Sequence, residues 1–129
     1  MIRHATASRY KFALRSARAL SGRIADATSK PEEMPDDARY FLSADSQAGF
    51  GVTADGTLIG LFSLVKGRGA PLVQAAIDHG AHLLDCFDGF LPTYYRGFGF
   101  VETERVPNWT PGQPDVVFMA LPVPAQAAA

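Results

Sequence analysis

The chain has 129 residues, of which 47% are hydrophobic and 19% are charged, and its formal net charge is -1. These proportions are typical of an ordinary globular protein and exclude a disordered or fibrous one. A net charge so close to zero provides no global basic field, so any site for an anion has to be local. Because Cys86 is the only cysteine, the chain can form no intramolecular disulfide and no four-cysteine zinc site.

The length predicts one domain over residues 1–121, which buries roughly two-thirds of the surface that the unfolded chain exposes. Residues 122–129 are rich in proline and alanine, and we expect this tail to be disordered. No apolar run reaches the roughly 18 residues that a membrane span needs, and the N-terminus lacks the apolar core of a signal peptide. We therefore expect a cytoplasmic protein with no membrane partner.

The first predicted element is a helix over residues 8–27. Its apolar residues recur every three or four positions and share one face: Tyr10, Ala13, Leu14, Ala17, Leu20 and Ile24. Six basic residues precede the first acid, Asp26, and at helical spacing they could form a basic face: Arg3, Arg9, Lys11, Arg15, Arg18 and Arg23. We interpret the basic face as solvated, with nucleic acid or an acidic partner as the alternative. Residues 28–37 contain two prolines and are predicted to end the helix as a loop.

A β-hairpin is predicted next, with strands over residues 49–54 and 57–65. The dipeptide Asp55-Gly56 between two β-prone runs is a strong signal for a two-residue turn. The second strand is apolar on both faces, and we expect it to be central in the sheet. Residues 40–42 are predicted to begin a further strand.

A glycine loop, Lys-Gly-Arg-Gly at residues 66–69, joins the hairpin to a helix that begins near Pro71 and ends at Gly80. Residues 82–87 are predicted to form a strand. Because a crossover helix separates this strand from the one before it, we expect the two to be parallel.

The last elements are a short helix and two strands. Pro92 opens the helix, and strands over residues 98–106 and 115–121 are predicted to pair antiparallel across the loop at residues 107–114. The whole order predicts an α/β fold of the α+β type. It has a mixed, mostly antiparallel central sheet with one parallel pair, and helices on both faces.

Several of these segments resemble the GCN5-related N-acetyltransferase (GNAT) family. Residues 95–100, Tyr-Arg-Gly-Phe-Gly-Phe, fit the family signature Tyr-x-x-x-Gly-Phe. Residues 54–60, Ala-Asp-Gly-Thr-Leu-Ile-Gly, resemble the hairpin that precedes the family's cofactor loop. The resemblance covers residues 49–121. It implies a GNAT-like fold and transfer of an acetyl group from acetyl-coenzyme A to an amine, by direct attack in a ternary complex.

The resemblance implies that the glycine loop holds the coenzyme A pyrophosphate, through Lys66, Gly67, Arg68, Gly69 and Ala70. A physical argument supports the same site. Glycines let the backbone approach a phosphate closely, cationic side chains neutralise it, and the start of a helix attracts anions. The alternative is an ordinary turn between a strand and a helix, with solvated cations.

Two residues are candidates for catalysis. Tyr95 resembles the tyrosine that protonates the leaving coenzyme A thiolate in the family; a tyrosine that only packs is the alternative. Asp88 lies just beyond the end of a predicted strand and is the candidate base for the amine, with water or a simple capping role as alternatives. No residues have the spacing of a metal site, so no metal is expected.

Only five residues separate Gly60 from Lys66, where the family fits the end of one strand, a turn and another strand. We therefore expect a trimmed or divergent member in which one strand is merged or missing. The affected strand is the bulged one that, in the family, pairs with the pantetheine arm and carries the acetyl thioester.

A trimmed core leaves two other functions open: a non-catalytic binding or assembly module, and a GNAT-like enzyme that modifies nucleic acid. Trp109, in the loop at residues 107–114, is placed to meet an acceptor or a second subunit, which would make the protein a homodimer. A tryptophan that anchors this loop in its own core is the alternative. The sequence does not identify the amine acceptor.

Overall fold

The structure is a computed structural model, and it describes residues 2–122. These residues fall into two compact units that divide between Ala81 and His82. The prediction of one domain over residues 1–121 stays a prediction. Of the tail predicted to be disordered, residues 123–129 lie outside the described residues. Within residues 2–122, no helix combines the length and the apolar character that crossing a membrane requires.

The first unit contains one antiparallel sheet of four strands in the order β1-β2-β3-β4. Three α-helices and one short 3-10 helix connect and cover the strands. In chain order the elements are β1 (Ile2–Ala5), α1 (Ala7–Leu20), α2 (Gly22–Ala27), the 3-10 helix (Pro31–Glu33), β2 (Arg39–Ser43), β3 (Ala48–Val52), β4 (Leu58–Ser63) and α3 (Gly69–Asp78).

The second unit contains one antiparallel sheet of three strands in the order β5-β7-β6. Its elements are β5 (Leu83–Phe87), α4 (Phe90–Arg96), β6 (Val101–Val106) and β7 (Val116–Ala120). The predicted α+β class and the antiparallel pairing of the last two strands are confirmed. The predicted parallel pair is wrong, because β4 and β5 belong to different sheets and every strand pair of the described residues is antiparallel.

Helices cover both faces of the four-stranded sheet, as predicted, and successive side chains of β2 contact them in turn. Tyr40 faces α1 and stacks on Tyr10 with ring centroids 4.4 Å apart. The next residue, Phe41, points to the opposite face. There it stacks on Phe50 at 5.0 Å and contacts His79, at the end of α3, at 4.3 Å. Both faces of this sheet are therefore buried under a helix.

The helix predicted over residues 8–27 is two helices, because Ser21 interrupts it. Ser21 has an extended backbone, with φ -140° and ψ 113°, and its N–H donates to the carbonyl of Ala17 at 2.9 Å. Its hydroxyl accepts a bond from the N–H of Ile24 at 3.2 Å, which caps the second helix. The new direction brings Ile24 into the core, where 2% of it is exposed.

Two cations of the predicted basic face hold the segment that follows α2. Lys11 Nζ donates to the carbonyl of Met34 at 2.8 Å and pairs with Asp36 at 2.5 Å. Arg18 Nη1 donates to the carbonyl of Thr28 at 2.5 Å. These contacts direct both cations to this chain's own backbone, so the face is not uniformly solvated and offers fewer charges to a nucleic acid.

The predicted hairpin is confirmed as β3 and β4, joined by a turn in which Gly56 has φ 86°. The prediction that its second strand is central is wrong. Within the described residues β4 is the last strand of its sheet, with β3 as its one strand neighbour. The strand is apolar on both faces because α1 contacts it on one face and α3 on the other.

The prediction of a merged or missing strand is also wrong. The strand that begins at residue 40 in our prediction is β2, which pairs with β3. The hairpin therefore supplies the third and fourth strands of the unit, and the interval from Gly60 to Lys66 only has to complete β4. The first strand, β1, has no strong sequence signal and was not predicted.

A β-bulge lies in the middle of β4. Its residues Gly60 and Leu61 lie opposite the single residue Phe50 of β3. Gly60 has φ 56°, the left-handed conformation that the first residue of such a bulge adopts. The hydroxyl of Tyr10 donates to the Gly60 carbonyl. A Cβ at position 60 would collide with this hydroxyl and would lie 2.7 Å from Cε of Met34.

We predict that Gly60→Ala lowers the free energy of unfolding by about 2–4 kcal/mol, since it adds a left-handed alanine and a clash in the core. Urea denaturation measures this change. Gly22→Ala is the matched control, because a Cβ at the start of α2 would have no neighbour within 4 Å. We expect the control to change the free energy by less than about 1 kcal/mol. Equal stabilities for the two variants would contradict this account of the bulge.

Candidate functional site

The predicted anion loop lies in the first unit, between β4 and α3. The chain turns at residues 64–67, and the helix begins at Gly69. The N–H groups of Gly69 and Ala70 have no intrahelical partner, as in the first turn of any helix, while Pro71 has no N–H to offer. Gly67 has φ 90°, and a Cβ there would have no atom within 4 Å, so the backbone is open to a close approach.

Arg68, the cation at the centre of this loop, is paired with Asp45 in the turn between β2 and β3. The two contacts join Nη1 to Oδ1 at 3.0 Å and Nη2 to Oδ2 at 2.9 Å. Asp45 also accepts bonds from the Ser43 hydroxyl at 2.6 Å and the Gln47 N–H at 3.1 Å. Arg68 first, and then these donors, hold the pKa of Asp45 well below its usual range. Asp45 thus neutralises part of the charge that the loop offers to a phosphate.

Lys66 is exposed, and no carboxylate of residues 2–122 lies within ion-pair distance of it. A pocket of about 370 Å³ opens beside the Arg68–Asp45 pair. Its apolar wall consists of Ile2, Ala44, Ala48, Pro71 and Leu72. An apolar wall with a few charged groups at one side is typical of a site for a small molecule.

Tyr95, the predicted acid, lies on α4 in the second unit, and its side chain is largely buried, with 8% of the residue exposed. Its ring packs edge-on against Phe100 at 5.9 Å and Tyr94 at 5.5 Å. Burial is the main cause that raises the pKa of Tyr95, and the charges of Cys86 and Tyr94 add to it. The phenol therefore keeps its proton at neutral pH.

The signature at residues 95–100 has a structural role of its own. The N–H groups of Phe98 and Phe100 donate to the Tyr95 carbonyl at 2.9 and 3.3 Å, and they end the helix. Gly99 has φ 101°, which a residue with a side chain rarely adopts. The fully buried Phe100 then anchors the start of the following strand, β6, whose own residues are mostly exposed.

Asp88, the predicted base, is held by an ion pair. Its Oδ2 lies 2.6 Å from Nη1 of Arg105, which also pairs with Glu102 at 2.9 Å and approaches Asp115 at 3.6 Å. Oδ1 of Asp88 accepts a bond from the N–H of Gly89 at 2.9 Å. Arg105 first, and then this N–H, lower the pKa of Asp88. A carboxylate with a lowered pKa is a weak proton acceptor.

Cys86 lies close to Tyr95, and the sequence does not predict this proximity. It is half-buried on β5, and burial together with the charges of Asp85 and Asp88 raises the pKa of its thiol to about 11. A thiol with this pKa stays neutral at physiological pH and is a poor nucleophile. Only the packing of α4 on β5 brings the two side chains together, and no spacing in the sequence signals it.

Trp109 lies in the loop between β6 and β7, and 84% of it is exposed. It does not anchor the loop in a core, so that alternative is wrong. A role for this loop in contacting an acceptor or a second subunit stays a prediction.

Within residues 2–122, no group of three or more His, Cys, Asp or Glu side chains is placed to hold a metal ion.

No protein-family model and no curated protein matches the chain. Among solved structures, the "putative N-acetyltransferase from Lactobacillus plantarum" is similar with a TM-score of 0.60 and 17% identity, over 95% of this chain and 98% of that one. Ard1 from Thermoplasma volcanium is similar with a TM-score of 0.54 and 16% identity, over 92% and 94% of the two chains. At these identities the likeness concerns the fold alone. This chain has the fold of the GCN5-related N-acetyltransferases.

Proposed function

We propose that the protein is an acyl-coenzyme A-dependent N-acyltransferase that transfers an acetyl group from acetyl-coenzyme A to an amine. The observation that carries the proposal is the sequence of a bulged last strand, an open glycine loop and the start of a helix in the first unit. The fold shared with a protein described as an N-acetyltransferase supports the same activity.

The first unit offers the features that coenzyme A needs. Because β3 is the one strand that pairs with β4 among residues 2–122, an extended ligand with amide groups can add to the other edge of β4 through backbone hydrogen bonds. The pantetheine arm of coenzyme A is such a ligand. The pyrophosphate would then meet the N–H groups of Gly69 and Ala70, with Gly67 leaving room for it and Lys66 supplying charge.

The contribution of Arg68 to this site depends on its ion pair with Asp45. In the described structure its guanidinium is engaged by Asp45. A bound pyrophosphate would compete with this carboxylate for the same donors. Arg68 therefore contributes to coenzyme A binding to the extent that the phosphate displaces Asp45 or shares the guanidinium with it.

In the proposed reaction the amine nitrogen attacks the thioester carbonyl carbon, the new C–N bond forms, and the C–S bond breaks. The sulfur leaves as a thiolate. Tyr95 keeps its predicted role as the donor to this thiolate. Because its pKa is raised, it acts mainly through a hydrogen bond, and solvent completes the proton transfer. The lowered pKa of Asp88 makes water the expected acceptor of the amine proton, with Asp88 as the weaker candidate.

A non-catalytic module that binds coenzyme A is the second candidate function. The specific observation in its favour is that two of the predicted charged residues are already paired, Arg68 with Asp45 and Asp88 with Arg105. Such a module would bind coenzyme A and acetyl-coenzyme A with similar affinity and would release no thiol in the presence of amines.

We predict that Asp45→Asn binds coenzyme A several-fold more tightly than the wild type, because it frees Arg68 for the phosphates. Arg68→Ala is expected to bind about ten-fold more weakly, or about 1.4 kcal/mol. Isothermal titration calorimetry with coenzyme A measures both. Asp55→Asn is the control, since it makes the same change of charge in the β3–β4 turn, at the other end of β3.

Two results would contradict this part of the proposal. The absence of heat from the wild type at millimolar coenzyme A would exclude the binding site itself. Equal affinities for Asp45→Asn, Asp55→Asn and the wild type would show that Asp45 does not compete for Arg68. A wild-type affinity for Arg68→Ala would show that Arg68 takes no part in phosphate binding.

We predict that Tyr95→Phe lowers kcat by about 10- to 100-fold and leaves KM for acetyl-coenzyme A nearly unchanged, because the hydroxyl acts on the leaving thiolate. Thiol release from acetyl-coenzyme A with a panel of primary amines is the assay. Tyr94→Phe removes the neighbouring hydroxyl and is the control. Since the pKa of Tyr95 is raised, its deprotonation should cause no fall in kcat between about pH 7 and 9. A wild-type kcat for Tyr95→Phe would assign the residue to packing.

A further inference from the structure

A second groove of the first unit, of about 550 Å³, is bounded by α1, by the turn between β2 and β3, and by the residue that follows β4. Within the described part of the chain, it shares no lining residue with the pocket beside the Arg68–Asp45 pair. Among residues 2–122, no acidic residue lines it. Its volume is in the range of sites for small molecules, and the proposed function gives it no role.

Arg9 supplies the charge of this groove. Of the four cations of α1, Lys11 and Arg18 donate to backbone carbonyls in or after α2. No carboxylate of residues 2–122 lies within ion-pair distance of the other two, Arg9 and Arg15. Arg9 lines the groove and Arg15 does not. Since α1 contains no acidic residue, nothing on this helix neutralises the charge of Arg9.

Phe12 supplies an apolar wall beside this charge. It is 68% exposed and lines the groove one helical turn after Arg9. Residues three positions apart are neighbours on the surface of a helix, so the ring and the guanidinium belong to the same side of α1. Ala13 and Leu64 extend the apolar surface. An apolar wall with one charged group is typical of a site for a ligand that has an apolar body and an opposite charge.

Backbone hydrogen bonds hold the wall opposite α1 in place. The N–H of Gln47 donates to Oδ1 of Asp45 at 3.1 Å, and its carbonyl accepts from the N–H of Leu64 at 2.8 Å. These bonds tie the turn between β2 and β3 to the end of β4. The side chain of Gln47 is exposed and provides an amide donor on this wall. The groove is therefore formed before a ligand binds, which lowers the entropy cost of binding.

We propose that this groove binds a small organic anion, namely a carboxylate carried on an aromatic or branched aliphatic body. The carboxylate pairs with the guanidinium of Arg9, which matches its two oxygens, and accepts a hydrogen bond from the side chain of Gln47. The apolar body packs against Phe12 and Leu64. Because the ligand is not coenzyme A, the inference goes beyond the proposed function and does not depend on it.

The test titrates the isotope-labelled protein with phenylacetate and with phenylacetamide, its neutral isostere, and follows the backbone amides by NMR. We expect phenylacetate to bind in the millimolar range and about five-fold more tightly than phenylacetamide, because only the anion forms an ion pair with Arg9. The shifts should centre on Phe12, Gln47 and Leu64. The amides of Gly67 and Ala70, in the glycine loop, should hardly change.

Arg9→Gln should remove the preference for the anion, so that the two probes bind equally. Arg15→Gln is the matched control, because it makes the same change of charge at an exposed position of the same helix outside the groove, and it should keep the preference. Phe12→Ala should weaken both probes about three- to ten-fold and keep their ratio, since it removes only apolar contact. If a variant does not fold, the comparison of the two probes on the wild type still tests the inference.

Several results would overturn the inference. Equal affinities of the two probes for the wild type would make the groove a general apolar surface. Equal effects of Arg9→Gln and Arg15→Gln would assign the preference to the basic face as a whole, as would a thymidine oligonucleotide that displaces phenylacetate. Shifts confined to Gly67 and Ala70 would place the anion in the glycine loop.

A competition with coenzyme A separates this inference from the proposed function. We expect phenylacetate to bind equally well with and without coenzyme A. Displacement by coenzyme A would make the groove part of the coenzyme A site and overturn the inference, while the proposed function would stand. If the wild type binds phenylacetate as expected but no coenzyme A, the inference stands and the proposed function is wrong.

Discussion

The hydrogen bond from Tyr10 to Gly60 is the contact on which the first unit depends most. It joins a helix near the start of the chain to the last strand of the sheet, and it requires glycine at position 60 both for the backbone conformation and for space. The same helix fastens the following segment through Lys11 and Arg18. The apolar face of α1 thus contacts the bulge of β4, and two cations of the same helix hold the segment between α2 and β2.

Two arginine–aspartate ion pairs lie at the surface and add little to the stability of the fold. Arg68 with Asp45 and Arg105 with Asp88 are half-exposed, and pairs of this kind contribute little to folding. Their main effect is on the charge and the basicity of the candidate site residues. Asp45 reduces the charge that the glycine loop offers to an anion, and Arg105 reduces the basicity of the carboxylate that was predicted to accept a proton.

Local features of the fold could be predicted, and long-range pairing could not. Asp55-Gly56 specifies a turn, and Gly80 ends α3, because each acts through its own backbone. The split into two sheets depends on which strands meet, which neither alternation nor length reveals. For the site, the sequence located the glycine loop, but Asp45, the partner of Arg68, lies 23 positions away in a different turn and carries no signal of that contact.

Backbone conformation and packing explain some residues of the signature at residues 95–100, but not all of them. Gly99 is required to end the helix, and Phe100 is required to fill the core, so both would be found in this fold without any catalysis. The ring of Tyr95 packs against Phe100 in a way that a phenylalanine would reproduce. Its hydroxyl adds a desolvation cost that burial makes larger, as the raised pKa indicates. The hydroxyl of Tyr95, rather than the glycine or the phenylalanine, is therefore the part of the signature that calls for a functional explanation.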